Sequence, residues 1–171
     1  SKTDIRRIPN QTKSVADGDR FPLMGFQIEV LEVHGHTNAH IAFYIEIENK
    51  VKERNILFCG DTLFGGGCGR IFEGTFEDMY KSLQRINSLP ENTHVFCAHE
   101  YTIENLKWAI SLKPNDLLIK KRFEREKDRR AKGLLTIPST LKEEKDTNLF
   151  LQAKTLEDFI FLRKHKNDWK S

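Results

Sequence analysis

Ile56-Leu-Phe-Cys-Gly-Asp-Thr-Leu-Phe-Gly-Gly-Gly-Cys-Gly-Arg-Ile-Phe-Glu-Gly74 opens as an apolar run of strand length and delivers one carboxylate, Asp61, into a glycine-rich loop. No basic residue stands beside that carboxylate before Arg70. A carboxylate placed in this way holds either a metal or a backbone turn, and two further segments bear on the choice. Val33-His-Gly-His-Thr-Asn-Ala-His40 and Val95-Phe-Cys-Ala-His-Glu-Tyr-Thr102 each follow an apolar run with histidine. A metal that activates water needs imidazole and carboxylate ligands on rigid strand ends, with an open position. His36, Asp61 and His99 stand at such strand-to-loop junctions. Taken singly, each is more often a hydrogen-bonded structural residue, and His34 and His40 are equal candidates on residue type alone. Only the joint occurrence raises the metal reading, and a His, His, carboxylate set describes a mononuclear iron site equally well.

The 171 residues suit one ordinary domain or two small ones. A net charge of +3 is too mild to imply nucleic acid by itself. No stretch approaches the roughly 20 apolar residues that span a bilayer, and the first residues lack a signal-peptide core. The expectation is therefore a cytoplasmic protein, or a piece whose start lies elsewhere, with no membrane and no nucleic-acid partner. Cys59, Cys68 and Cys97 form no CxxC pair and read as reduced thiols.

Period-two alternation predicts strands over Phe26–Val33 and His40–Ile47, and short apolar runs predict two more at Asn55–Cys59 and His94–Ala98. Between them Thr75 and Asp78 form a capping pair ahead of Phe76, Met79, Tyr80, Leu83 and Ile86, which have helical spacing. After His99 the strand signals stop. Thr102–Leu112, Asn115 to about Lys132 with Gly133 as its stop, and Thr155 to about Lys166 with Thr155 and Asp158 as its cap all predict helices, and Leu135–Asn148 reads as a loop. A boundary is thus expected near residue 100, between a strand-rich unit (1–99) and a helical one (100–171). The charged run Lys120–Lys132 reads as a solvated helix face rather than an RNA-binding surface, because only Phe123 is interleaved with it.

Several strings together carry a resemblance: GHT at Gly35–Thr37 with His40 and Ile41 following, GDTLF at Gly60–Phe64, GCGRIFEG at Gly67–Gly74, HEYT at His99–Thr102, IPSTL at Ile137–Leu141 and LRKHKND at Leu162–Asp168. In this order they resemble glyoxalase II, the hydroxyacylglutathione hydrolases of the metallo-β-lactamase superfamily. The resemblance implies an α/β fold: the C-terminal half of an αββα sandwich, followed by a small helical domain that helps bind glutathione. It implies two divalent metals (zinc, iron or manganese), with His36 on one, His99 on the other and Asp61 bridging. It gives His40 a supporting role and assigns Arg70, Phe72, Tyr101, Arg163 and Lys166 to the glutathione pocket. Arg163 and Lys166 lie three residues apart, hence on one helix face, and a cationic cluster suits the two carboxylates of glutathione. The implied reaction is hydrolysis of S-D-lactoylglutathione, or a similar 2-hydroxyacyl thioester, by a metal-activated hydroxide.

The sequence departs from the family pattern in several places. No HxHxDH string, the family's first metal motif, occurs in the 171 residues. A C-terminal fragment is therefore expected, with doubtful metal occupancy and no hydrolysis by this chain alone. Ala39 and Ala98 stand where the family tends to carry glycine, His34 where it often has proline, and Phe72 where it can have tyrosine. The competing expectation is a non-catalytic glutathione-binding or oligomerising module that self-associates through an exposed cut face.

Overall fold

Alternation in Phe26–Glu32 produces the strand it predicts, with Ile28 and Val30 buried and Phe26 exposed. The computed structural model describes residues 1–47 and 54–170. Eight strands are present among them: β1 Arg20–Leu23, β2 Phe26–Glu32, β3 Ile41–Ile45, β4 Ile56–Gly60, β5 Leu63–Phe64, β6 Gly67–Cys68, β7 His94–Cys97 and β8 Ser139–Thr140. Five α-helices accompany them: α1 Phe76–Asn87, α2 Thr102–Leu112, α3 Leu117–Ala131, α4 Leu141–Thr147 and α5 Leu156–Asp168. Six strands form one mixed sheet in the order β1-β2-β3-β4-β7-β8, and β5 with β6 makes a separate hairpin. β4 and β7 run parallel, and every other neighbouring pair is antiparallel.

One face of the sheet carries the core. Ala42, Tyr44, Leu57, Cys59 and Val95 join Met79, Leu83 and Ile86 of α1 and Leu106, Trp108, Phe150 and Phe159 from the C-terminal part in a single buried cluster. The other face presents an aromatic row. Phe43, Phe58 and Phe96 are cross-strand partners, Phe58 and Phe96 lie 5.2 Å apart, and Phe58 remains 45% exposed.

Both expected capping boxes form. The Thr75 hydroxyl accepts from the Asp78 amide while Asp78 reaches back to Thr75, and Thr155 with Asp158 repeats the arrangement at the start of α5. Gly133 sits at φ +73° just past α3, a left-handed position that glycine adopts without strain.

Two sequence expectations need correction. Leu135–Asn148 contains β8, which pairs with β7 (His94 opposite Thr140), and then α4. A two-residue strand is too short to leave a periodic signal. The second is the charged run, which is only partly solvated. Arg122 and Glu126 are buried, and Arg122 donates to Glu144 of α4 at 2.5 Å and to the Thr147 hydroxyl at 2.7 Å. Glu144 also accepts from the Gly66 amide (2.8 Å) and from Asn148, whose side chain bonds the Phe64 and Gly67 carbonyls. Helix charge and hairpin backbone thereby satisfy one another out of water.

Candidate active site

Burial alternates along β4 as far as Cys59, and the register with β7 shifts between Phe58 and Gly60 just before the loop. Cys59 therefore points into the core, fully buried, while Asp61 emerges at a cavity mouth. Gly60 takes φ +52°, and a Cβ there would meet the His40 ring at 2.5 Å. That close approach lets the Asp61 amide donate to His40 Nε2 at 3.1 Å. Burial, with His36 adding repulsion, pushes His40 below its ordinary pKa, so the ring stays neutral and keeps the lone pair this bond requires. His40 thus supports the loop and does not face the cavity.

His36 is carried by the turn between β2 and β3, which is closed by the Val33 amide bonding the His40 carbonyl. Amides of Phe72 and Gly74 bond back to the His36 and Gly35 carbonyls, so the two loops are stitched together. His36 Nδ1 lies 2.8 Å from the Arg70 carbonyl. A carbonyl only accepts, so Nδ1 carries the proton, and a ring with that single proton has its lone pair at Nε2. That Nε2 faces Asp61 Oδ2 at 3.9 Å, and His99 Nε2 faces Oδ1 at 3.2 Å. The Ala98 amide bonds the Gly60 carbonyl and so ties the His99 loop to β4. The structure brings His36, Asp61 and His99 together.

The donor chemistry suits divalent cations. An imidazole lone pair aimed at a carboxylate oxygen is acceptor against acceptor, and a cation between them resolves it. The carbonyl held by His36 Nδ1 is the outer partner that metal-bound histidines ordinarily have. His36 and His99 lie on opposite oxygens of one carboxylate and do not converge on one point. Among the described residues no group of three or more His, Cys, Asp or Glu closes around a single ion position. Each oxygen of Asp61 thus faces one imidazole, a donor set that divalent cations accept and that by itself completes no coordination shell.

A cavity of about 490 Å³ opens from this carboxylate. Near the imidazoles its wall is aromatic: Tyr101 stacks on His99 (5.0 Å between centroids), Phe64 lies edge-on to Tyr101, and Phe72 packs 4.9 Å from His36. Arg70, Arg163 and Lys166 line it as well. Arg163 is buried, and its Nη1 donates to the Cys68 carbonyl at 2.9 Å, so it clamps the glycine-rich loop to α5 while bordering the cavity. Burial, with Arg163 beside it, pushes Lys166 down to about 8. Phe64, Cys68, Asn105 and Trp169 also line the cavity and were not picked from sequence. Helical spacing held the signal for two of them, since Asn105 follows Tyr101 by four residues and Trp169 follows Lys166 by three. All three cysteines are free and burial raises their pKa values, so packing accounts for these thiols.

Gly69 sits against the acidic loop. A Cβ there would run into the Asp61 carbonyl oxygen and approach His36 Nδ1 at 3.4 Å. Gly69→Ala is expected to destabilise the fold by about 2 kcal/mol, as overpacking of rigid backbone does. Thermal unfolding followed by circular dichroism checks this; an unchanged midpoint would show that the loop yields freely.

Comparison with known proteins adds an independent line. Residues 100–169 match a family described as hydroxyacylglutathione hydrolase C-terminus. The chain is 57% identical over 170 residues to the hydroxyacylglutathione hydrolase of Prochlorococcus marinus strain MIT 9211, covering 99% of this chain and 67% of that protein. It is 51% identical over 170 residues to the one from Synechococcus sp. strain CC9902, covering 98% and 68%. Among solved structures, a metallo-beta-lactamase from Staphylococcus aureus superposes with a TM-score of 0.65 at 24% identity, over 97% of this chain and 41% of that one. ETHE1 from Myxococcus xanthus gives 0.63 at 23% identity, over 95% and 56%. These two likenesses identify the metallo-β-lactamase fold. The chain thus spans about two thirds of the curated relatives and a smaller share of the two structures.

Proposed function

The chain belongs to the hydroxyacylglutathione hydrolase family, and from that premise we propose that it serves the hydrolysis of 2-hydroxyacyl thioesters of glutathione, S-D-lactoylglutathione among them. The observation that carries this reading is one carboxylate, Asp61, flanked on its two oxygens by His36 and His99 at the mouth of a cavity that also holds Arg70, Arg163 and Lys166. The family and its fold imply divalent metal use. His36 with Asp61, and His99 with Asp61, are the residues that would hold the ions; zinc, iron and manganese all accept such donors. Bound there, a divalent cation makes water acidic near neutral pH and polarises a carbonyl.

The chain's own side chains do the rest. Asp61 accepts hydrogen bonds from water held between the imidazoles and so orients it. Buried Phe64 and the more exposed rings of Phe72 and Tyr101 give that end an apolar wall. Arg70, Arg163 and Lys166 set the thioester carbonyl by gripping the carboxylates of glutathione. Water oxygen adds to the carbonyl carbon, the carbon–sulfur bond breaks, and the leaving thiolate takes up a proton to give glutathione and the hydroxy acid. A thiol pKa of about 8.5 makes a strong general acid unnecessary.

We divide the labour near residue 99. The hydrolytic side chains and Arg70 lie before it, and Tyr101, Arg163 and Lys166 lie in the helical part, residues 100–171. Three free thiols suit a reducing compartment such as the cytoplasm, and no described helix is long and apolar enough to cross a membrane. Because this chain supplies two donors per ion where zinc takes four, weak metal uptake and little turnover are expected from it in isolation. Thioester absorbance with added zinc, together with metal content after dialysis, tests the function. No turnover at any zinc concentration, with no binding of a glutathione thioether, would sink the reading. A second reading, association of copies, is favoured by the aromatic row in which Phe58 is exposed and Phe43 and Phe96 are half-buried, and sedimentation velocity checks it.

Lys166 gives the site a pH signature. An anion is held by the charged ammonium, so binding is full below a pH of about 8 and is lost as pH rises through it. Titration calorimetry with S-methylglutathione across this range should show the loss in wild type, with a flatter profile in Lys166→Met.

A further inference from the structure

Lys166 lies between two indoles. Its Nζ stands 4.9 Å from the ring centroid of Trp108 and 5.3 Å from that of Trp169, both inside the ~6 Å reach of a cation–π contact. Trp108, on α2, is fully buried and stacked on Phe150 at 5.0 Å, and its Nε1 donates to His165 Nδ1 at 3.1 Å, so the ring is fixed from two sides. Trp169 caps the C-terminal end of α5 and lines the cavity. The chain has two tryptophans, and both are used here.

Among the described residues Lys166 makes no ion pair within 4.0 Å. The charges acting on it are Arg163 of its own helix, Arg70 from the glycine-rich loop and Glu104 of α2. A flexible stem beside two repelling guanidinium groups would ordinarily swing its ammonium into water. The indole faces oppose that swing without consuming the charge, because a ring quadrupole attracts a cation but leaves its N–H donors available to an anion.

We propose that Trp108 and Trp169 are positioning residues for substrate binding, holding the Lys166 ammonium over two indole faces at the cavity wall so that it meets a carboxylate of the glutathione moiety. This rests on the functional reading above and adds to it the element that fixes the anchor. Partial burial of Lys166 fits, since an ammonium held among rings is poorly hydrated.

The test uses the 171-residue chain and the unreactive thioether S-methylglutathione as probe, with affinity read by titration calorimetry. Lys166→Met is expected to weaken binding by about tenfold or more. Trp169→Ala should weaken it by roughly five- to tenfold, the value of a partly desolvated cation–π contact. Trp169→Phe should restore most of that loss. In the Lys166→Met background Trp169→Ala should change nothing further, a dependence that general packing would not produce. Tryptophan emission should also respond to the probe in wild type. If Trp169→Ala binds as wild type does while Lys166→Met does not, the bracket falls and the pocket reading stands. Equal weakening in both backgrounds also overturns the bracket, and failure of wild type to bind overturns both.

Discussion

Replacing Asp61 by asparagine should take the small zinc-supported turnover of S-D-lactoylglutathione expected of this chain to the uncatalysed background, because losing a central electrostatic group costs on the order of 10³-fold. The amide nearly preserves the shape of the side chain, so the loop should remain folded. What is lost is the charge that sits between His36 Nε2 and His99 Nε2 at 3.9 and 3.2 Å. The change also puts an N–H donor, which an imidazole lone pair accepts directly, where the carboxylate would share a cation with the ring. Thermal stability and S-methylglutathione affinity should stay near wild type, since the anchors lie elsewhere on the cavity wall. Turnover that still rises with zinc as in wild type would remove Asp61 from the chemistry, and a loss of probe binding would point to a collapsed loop.

The largest effect on stability is expected far from any reacting atom. Glu144→Gln takes from Arg122, itself 2% exposed, its nearest and only fully buried carboxylate partner and leaves Glu143 at 3.4 Å, and breaking a buried pair from one side costs about 3–5 kcal/mol. For a chain of this size that lowers the unfolding midpoint by roughly 10 °C. Although burial works against its charge, Glu144 is held below its ordinary pKa by Arg122, Ser139 and the Gly66 amide. The sign follows from that depression. The contribution is fully present above the ordinary glutamate value of roughly 4.3 and is lost as pH falls through the lowered one. Wild type should therefore lose stability below that pH more steeply than Glu144→Gln, and parallel acid titrations of the two proteins would contradict the assignment.

Local signals in the sequence were strong where the physics is local. Thr75 with Asp78 and Thr155 with Asp158 specify their helices within four residues, and alternation specifies β2 and β3 directly. The meeting of His36, Asp61 and His99 was anticipated from the resemblance and from their strand-end positions, because a mixed sheet gathers such ends on one side. What escaped depended on distant partners. Arg122 looked like one more surface cation because Glu144 lies 22 residues away. β8 is two residues long and exists only by docking on β7. The shift of β4 against β7 just before Asp61 is a register change between strands, which alternation within a single strand does not encode.

The pairing of His94 with Thr140 joins residues 46 positions apart, and its consequence concerns the order of assembly. The strand that leads into His99 gains its outer neighbour only after α2 and α3 have been laid down and the chain has returned to the sheet edge. The cavity mouth is then among the last regions to rigidify, since contacts of long sequence separation carry a loop-closure cost before they reward it. Amide exchange should accordingly protect the β2–β3 ladder early in refolding and the Val95 amide late.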